Sequence, residues 1–402
     1  MNAPMINEDL FSTEALADPY PVYERLRERG PVHLLPELGL HLVVRHEQVL
    51  QALDDPATFS SNLAGLLTAG GADGPRLMDM GGAAVDVLAT ADPPAHTPQR
   101  GAVAPTFGKR NVAELTGRIQ ELLAPRVTAL ATAGGGDWMA QVAGPVPVLV
   151  ISRILGLPED DAAQITAWSD AAIELLGGLA DTDRTMQLAV EILDLMEYMD
   201  QRITAAAARP RGGLLDALAA DETLTQPERV AMAAQLVTAG SESTTSLIGA
   251  TAHALANDPA LADRLRDYPD QIEAFVEETL RLESPFRGHF RVTTRATILG
   301  GVHLPAGTRL MLLWGAANRD PAAYSDPAAL DLHRPAIRSH TAFGRGIHFC
   351  IGAHLARLEA ILAVKALLGQ GSFHATSTTR HLPSLMTRRL ARLDLAFPAT
   401  QP

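Results

Sequence analysis

Phe343-Gly344-Arg345-Gly346-Ile347-His348-Phe349-Cys350-Ile351-Gly352-Ala353-His354-Leu355-Ala356-Arg357 holds the only cysteine of a 402-residue chain. A lone thiol forms no internal disulfide, so Cys350 is either a small buried hydrophobe or a chemical group. The glycines permit tight bends and close backbone approach, and Leu355, Leu358 and Leu362 recur at the three- and four-residue steps of one helix face. The sulfur is therefore expected where a glycine-lined loop enters a helix. Unpaired N–H groups and a partial positive charge at a helix start favour thiolate over thiol, which suits the sulfur to be a metal ligand or a nucleophile.

The pattern Phe-Gly-x-Gly-x-His-x-Cys-x-Gly-x-x-Leu-Ala-Arg resembles the haem-binding loop of cytochromes P450, in which a Cys thiolate is the proximal iron ligand and pushes electron density toward the iron. The resemblance implies Cys350 as the metal ligand of haem b (iron protoporphyrin IX), with Phe343, Gly344 and Gly352 framing it and His348 at a propionate. It also implies a mainly α fold with a minor β part, in which a long central helix lies over the haem and the Cys-bearing loop lies on its proximal side.

Composition agrees with a folded, globular chain. Apolar residues make up 47% and charged residues 20%, enough to bury a large core. No linker, charge block or repeat divides the chain, so a single domain over residues 1–402 is expected. Met1 to Phe11 carries Glu8 and Asp9 and has neither a basic start nor a long apolar run, so no signal peptide or anchor is expected and the protein is placed in the cytoplasm. A net charge of −13 opposes binding to nucleic acid or to acidic membranes. Against that average, Arg345, His348, His354, Arg357 and Lys365 gather around the cysteine with no carboxylate before Glu359. This is either a basic face for an acidic partner or a set of solvated helix charges.

Toward the N-terminus, Asp18-Pro19-Tyr20-Pro21 starts a helix, and Val32 to Leu35 with Leu40 to Val44 predict an antiparallel hairpin. The glycine-rich stretch from Ser61 to Ala91, with Arg76, Met78 and Met80, is either disordered or a lid; family resemblance favours a lid over the substrate pocket. His96 and Arg100 are four apart, so on a helix they share a face and can bind one carboxylate. In the family the matching pair contacts a haem propionate. Residues 111–209 read as successive helices without a catalytic motif.

Thr225-Gln226-Pro227-Glu228 has capping-box spacing, and the apolar run after it continues to Asn257, a helix of roughly 48 Å. Ala239-Gly240-Ser241-Glu242-Ser243-Thr244-Thr245 interrupts its apolar character. Glycine beside hydroxyl residues either opens the helix ladder to make room for a guest or leaves the hydroxyls bonded to their own turn. Glu242 on a mostly apolar helix suggests a proton route. The stretch resembles the oxygen-activating motif of cytochromes P450, with Ala239 and Gly240 at its small positions, Glu242 as the acid and Ser243 in place of the usual first Thr. Serine keeps the hydroxyl but loses the β-branch that fixes its rotamer, which puts tight coupling of oxygen reduction in question. Thr244 is the alternative hydroxyl.

Glu278 and Arg281 are three apart, the spacing of a surface pair or of the family's Glu-x-x-Arg fold lock, which Arg334 would complete. Arg291 matches a second propionate-binding arginine. Arg287 and His289 point either to the pocket, where they would meet a carboxylate or carbonyl, or to backbone and solvent. The expected activity is monooxygenation of an apolar or amphipathic small molecule, with electrons from a separate ferredoxin and ferredoxin reductase. Oxidative coupling, peroxide-driven oxidation and non-catalytic haem binding stand as alternatives.

Overall fold

The structure, a computed structural model, describes residues 3–4, 10–62, 65–68, 75–79 and 85–398. Helices dominate, and the longest, Gln226–Asn257, is the central helix. Its start is fixed locally: the Thr225 hydroxyl accepts from the Glu228 N–H while the Glu228 carboxylate accepts from the Thr225 N–H, and Pro227 occupies the first turn. Val230, Met232, Leu236, Val237, Leu247, Ile248 and Leu255 are buried on several sides of it. A helix that is apolar nearly all round has to run through the interior, and this one packs against Pro145–Leu155, Ala162–Leu176, Thr182–Ala208 and the cysteine helix Ala353–Leu368.

One five-stranded sheet stands beside the helices, in the spatial order Val32–Leu35, Leu40–Val43, Arg309–Leu312, His289–Thr293, Phe59–Ser60. The first two strands form the expected hairpin, with Val32 opposite Val43, and Arg309–Leu312 joins it in parallel. His289–Thr293, with Arg291 on it, pairs antiparallel with Arg309–Leu312, and its His289 end lies opposite Leu312, next to the loop that follows. Within the glycine-rich stretch, Gly65–Thr68 and Arg76–Asp79 pair antiparallel, and Arg76 and Met78 are exposed. Met80 and most of the glycines lie outside the described residues.

The carboxylate helix Ile272–Glu283 supports the cysteine helix. Glu278 and Arg281 are fully buried rather than a surface pair: two guanidinium nitrogens of Arg281 meet the two Glu278 oxygens at 2.6 and 2.8 Å. Arg334 Nε adds a bond at 3.0 Å, and the remaining donors of both arginines reach the carbonyls of Asn318, Ser325, Pro327 and Ala329. With one carboxylate shared by the two arginines and carbonyls accepting from their other nitrogens, the cluster is hydrogen-bonded as a buried ion network must be to be tolerated.

Candidate active site

Gly344 and Gly346 sit at φ +64° and +67°, and a Cβ on Gly346 would lie 2.9 Å from the Leu53 carbonyl oxygen. These two positions require glycine. Gly352 differs: its φ is −84°, and an added Cβ would make ordinary contact, 3.9 Å, with Cys350 Sγ. Between the bends a short 3₁₀ turn, Gly346–His348, leads to Cys350, whose N–H donates to the Phe343 carbonyl at 2.8 Å. The cysteine helix begins at Ala353, so the sulfur lies where the loop enters the helix, as expected. Burial pushes the thiol up, while the Gly352 backbone and then the guanidinium groups of Arg100 and Arg357 pull it back toward thiolate.

Beside the loop the structure gathers cations with few partners. His96 and Arg100 share the helix His96–Val103, Arg291 comes from the sheet, and the His96 and His348 rings lie 4.6 Å apart. Arg100 Nη2 donates to the Phe349 carbonyl at 2.7 Å, tying this helix to the cysteine loop. His96 Nε2, both ring nitrogens of His348 and Trp314 Nε1 are buried with no hydrogen-bond partner. His348 is driven down to about 3, first by burial and then by Arg291, His96, His289 and Arg100. Burial lowers Arg291 to about 10, with Asp92 its opposing charge. Orphaned ring nitrogens beside the guanidinium groups of Arg100 and Arg291 suit an external anion rich in acceptors, and the two propionates of a haem fit that description.

On the central helix, Ala239 is exposed and Gln235 and Ser243 are half-buried, although the helix is buried on most other sides. The three are spaced four apart and form one stripe that is less covered than the rest of the helix. The helix is not opened at Gly240, which packs against Ile151. Instead Thr238, Ser241 and Ser243 donate to the carbonyls of Ala234, Val237 and Ala239, at 2.9 Å for Ser243. Back-bonding of this kind lets a Gly- and Ser-rich segment stay helical while its hydroxyls stay out of the apolar packing. Thr244 is buried. Glu242 is buried too and pairs with Arg389 at 2.6 Å, and Arg389 also meets the half-exposed Asp170 at 2.8 Å. Burial raises the Glu242 carboxyl, and Arg389 partly offsets that.

For Arg287 and His289, which the sequence leaves between pocket, backbone and solvent, the structure selects among the alternatives. Arg287 is buried away from the cysteine and donates to the Leu16 carbonyl at 2.5 Å, so it takes the backbone alternative. His289 stacks on Trp314, and burial followed by Arg291 lowers it to about 4. The basic face is also smaller than a local count suggests. Arg345 pairs with Asp54 at 2.7 Å, and Arg357 turns inward to Glu277 at 2.5 Å; His354 and Lys365 remain exposed. Both carboxylates come from distant sequence, which a window around the cysteine cannot include.

Sequence reading also missed two glutamines. Gln99 Oε1 accepts from the Leu88 N–H at 3.0 Å and Gln235 Oε1 from the Ala89 N–H at 3.1 Å, so amides from two helices grip consecutive residues of one segment. Leu88 is held there at φ +45° with its side chain buried in the main core. No motif marks such a contact; the signal available was a polar Gln235 one turn before Ala239.

A sequence model described as Cytochrome P450 matches residues 183–396. The chain is 39% identical to Cytochrome P450 144 of Mycobacterium tuberculosis, covering 96% of this chain and 90% of that protein. It is 35% identical to the Cytochrome P450 monooxygenase PikC of Streptomyces venezuelae, covering 91% and 86%. Among solved structures, a mutant of P450 EryK in complex with erythromycin B aligns over 96% of this chain and 99% of that one, with 29% identity and a TM-score of 0.85. No helix among the described residues is long and apolar enough to cross a membrane. Family model, relatives and fold agree with the lone cysteine in its glycine-bent loop: the chain belongs to the cytochrome P450 family, as a haem b-dependent haem-thiolate monooxygenase.

Proposed function

We propose that this chain, acting as one domain, binds haem through Cys350 Sγ and oxidises an apolar or amphipathic small molecule with electrons from a ferredoxin and its reductase in the cytoplasm. The observation that carries this reading is the pairing of a cysteine at a helix start with the unpartnered buried ring nitrogens of His96, His348 and Trp314 and the guanidinium groups of Arg100 and Arg291 beside it. His96, Arg100, Arg291 and His348 hold the propionates, and Phe343, Gly344 and Gly352 frame the sulfur. When bound, the haem supplies the activation of dioxygen and the transfer of one oxygen atom to a C–H or C=C bond.

The chain's own residues supply the rest. Ala239, with no side chain beyond its methyl group, leaves space beside the central helix, and Gly240 lets that helix close on Ile151. Glu242 is the acid of the proton route. Its raised carboxyl retains a proton more readily than an exposed glutamate, and Arg389 with Asp170 connects it toward the surface. Ser243 passes the proton on once its hydroxyl turns from the Ala239 carbonyl, and Thr244 stands next to it. The exposed Lys365 and His354, with Arg345, form the face for the acidic ferredoxin.

Turnover in labelled dioxygen with a reduced ferredoxin tests this, using a substrate found by spin-state shift. One labelled atom in the product supports monooxygenation. Product that forms only with peroxide and carries no label from dioxygen would replace it with peroxide-driven oxidation, a reading favoured by the back-bonded Ser243. Electron transfer unchanged by charge reversal at Arg345 and Lys365 would remove the ferredoxin face.

A further inference from the structure

Glu277, one residue before the carboxylate of the fold lock, holds a second buried network that the activity as described does not use. Its side chain is 1% exposed and receives Arg357 through a two-pronged contact, Nε to Oε1 at 2.5 Å and Nη2 to Oε2 at 3.0 Å. His340 Nε2 lies 3.0 Å from Oε2. Burial alone would push the Glu277 carboxyl up; the bonds from His340 and Arg357 overcome it and bring it to about 2.

The same guanidinium covers the ring of Phe343, with its central carbon 4.5 Å from the ring centroid. Phe343 in turn provides the carbonyl that accepts the Cys350 N–H at 2.8 Å. Just upstream, Thr341 is fixed by Asn318, whose Oδ1 accepts from its N–H at 2.7 Å and its hydroxyl at 2.9 Å. One carboxylate thus ties both ends of the cysteine loop, His340 before it and Arg357 after it, and Arg357 presses the ring whose backbone holds Cys350. Fork geometry and a planar face are both needed for this double contact, and lysine supplies neither.

We propose that Arg357, clamped by Glu277 and His340, is a positioning residue that fixes the cysteine loop through Phe343 and so sets how strongly Cys350 Sγ binds the iron. The inference rests on the reading of Cys350 as the iron ligand. Its consequence is a graded effect on the sulfur–iron bond that is separate from folding.

The test uses purified holoenzyme of the wild type, Arg357→Lys and Glu277→Gln, measuring the iron–sulfur stretching frequency, the haem reduction potential, the carbon monoxide spectrum after reduction, and Tm. Arg357→Lys keeps the charge, so any change reports geometry. The expected result is a lowered stretching frequency, a potential shifted upward as thiolate donation weakens, and a several-fold larger share of the neutral-thiol form in the carbon monoxide complex. Glu277→Gln shifts all three in the same direction, and serves alone if Arg357→Lys does not fold. Unchanged stretch, potential and spectrum with only a lower Tm would overturn the proposal and leave Arg357 a packing residue. A wild-type spectrum without thiolate character would instead overturn the assignment of Cys350 before any variant is compared.

Discussion

Two clusters of arginines among the described residues are built to opposite rules. Around Glu278, Arg281 and Arg334 share one carboxylate, and carbonyls accept from their remaining nitrogens, so their hydrogen bonding is met inside the protein. Beside Cys350, Arg100 and Arg291 stand with His96, His289 and His348, with Asp92 as the opposing charge and several nitrogens without acceptors. The first group is complete without a ligand and the second is not. Desolvating a cation without a partner is costly, so a protein that keeps the second arrangement gains from it only when an anion enters.

The sharpest way to break the comparison is to remove one member from each group. Glu278→Gln leaves two arginines buried without a countercharge and should cost about 3–5 kcal/mol in denaturant unfolding, enough to prevent accumulation of folded protein. Arg291→Met should act in the other sense on the haem-free protein, leaving its stability unchanged or higher, because an unmatched charge is gone. The loss should appear as haem leaving roughly 10- to 100-fold faster in a transfer assay, the value of a charged hydrogen bond. Equal destabilisation of the haem-free protein by both substitutions would mean that the two groups are alike.

How much of this was legible in sequence follows from separation along the chain. The cysteine loop, the His96 and Arg100 pair, the capping box at Thr225 and the Glu278 and Arg281 pair are all short spacings, and each lies where its spacing implies. The partners that define the electrostatics are far away: Arg389 for Glu242, Glu277 for Arg357, Asp54 for Arg345. No local pattern encodes them, so a count around the cysteine overstates the basic face and the helix that carries Glu242 gives no sign of Arg389. At Gly240 the choice between an opened ladder and back-bonded hydroxyls is decided for a related reason. Propensity favours opening there, but Ile151 packs on the glycine and the hydroxyls bond their own turn, so tertiary contact overrides it.

A smaller effect sharpens the comparison through pH. Glu277 falls to about 2 in the folded protein and titrates nearer 4.5 when unfolded, so its contribution is present above about 4.5 and is lost as pH falls toward 2. Acid unfolding over that window should flatten in Glu277→Gln; an unaltered slope would show that other carboxylates dominate. Smallest is the glutamine grip on residues 88 and 89. Gln235→Leu should cost about 1 kcal/mol of local protection, seen as faster exchange of the Ala89 amide while Leu88, held by Gln99, stays protected. Simultaneous release of both amides would show one cooperative strap rather than two independent bonds.

The central claim, proposed above, is that Cys350 would hold the iron of a haem whose propionates would sit against Arg100, Arg291, His96 and His348. Its most direct test is the absorption spectrum of reduced, carbon monoxide-treated protein, wild type against Cys350→Ser. The account predicts a thiolate-type Soret band in the wild type and its loss in the variant, with haem still bound through His96, Arg100, Arg291 and His348. No haem in the wild type, or a spectrum indifferent to the substitution, would contradict it.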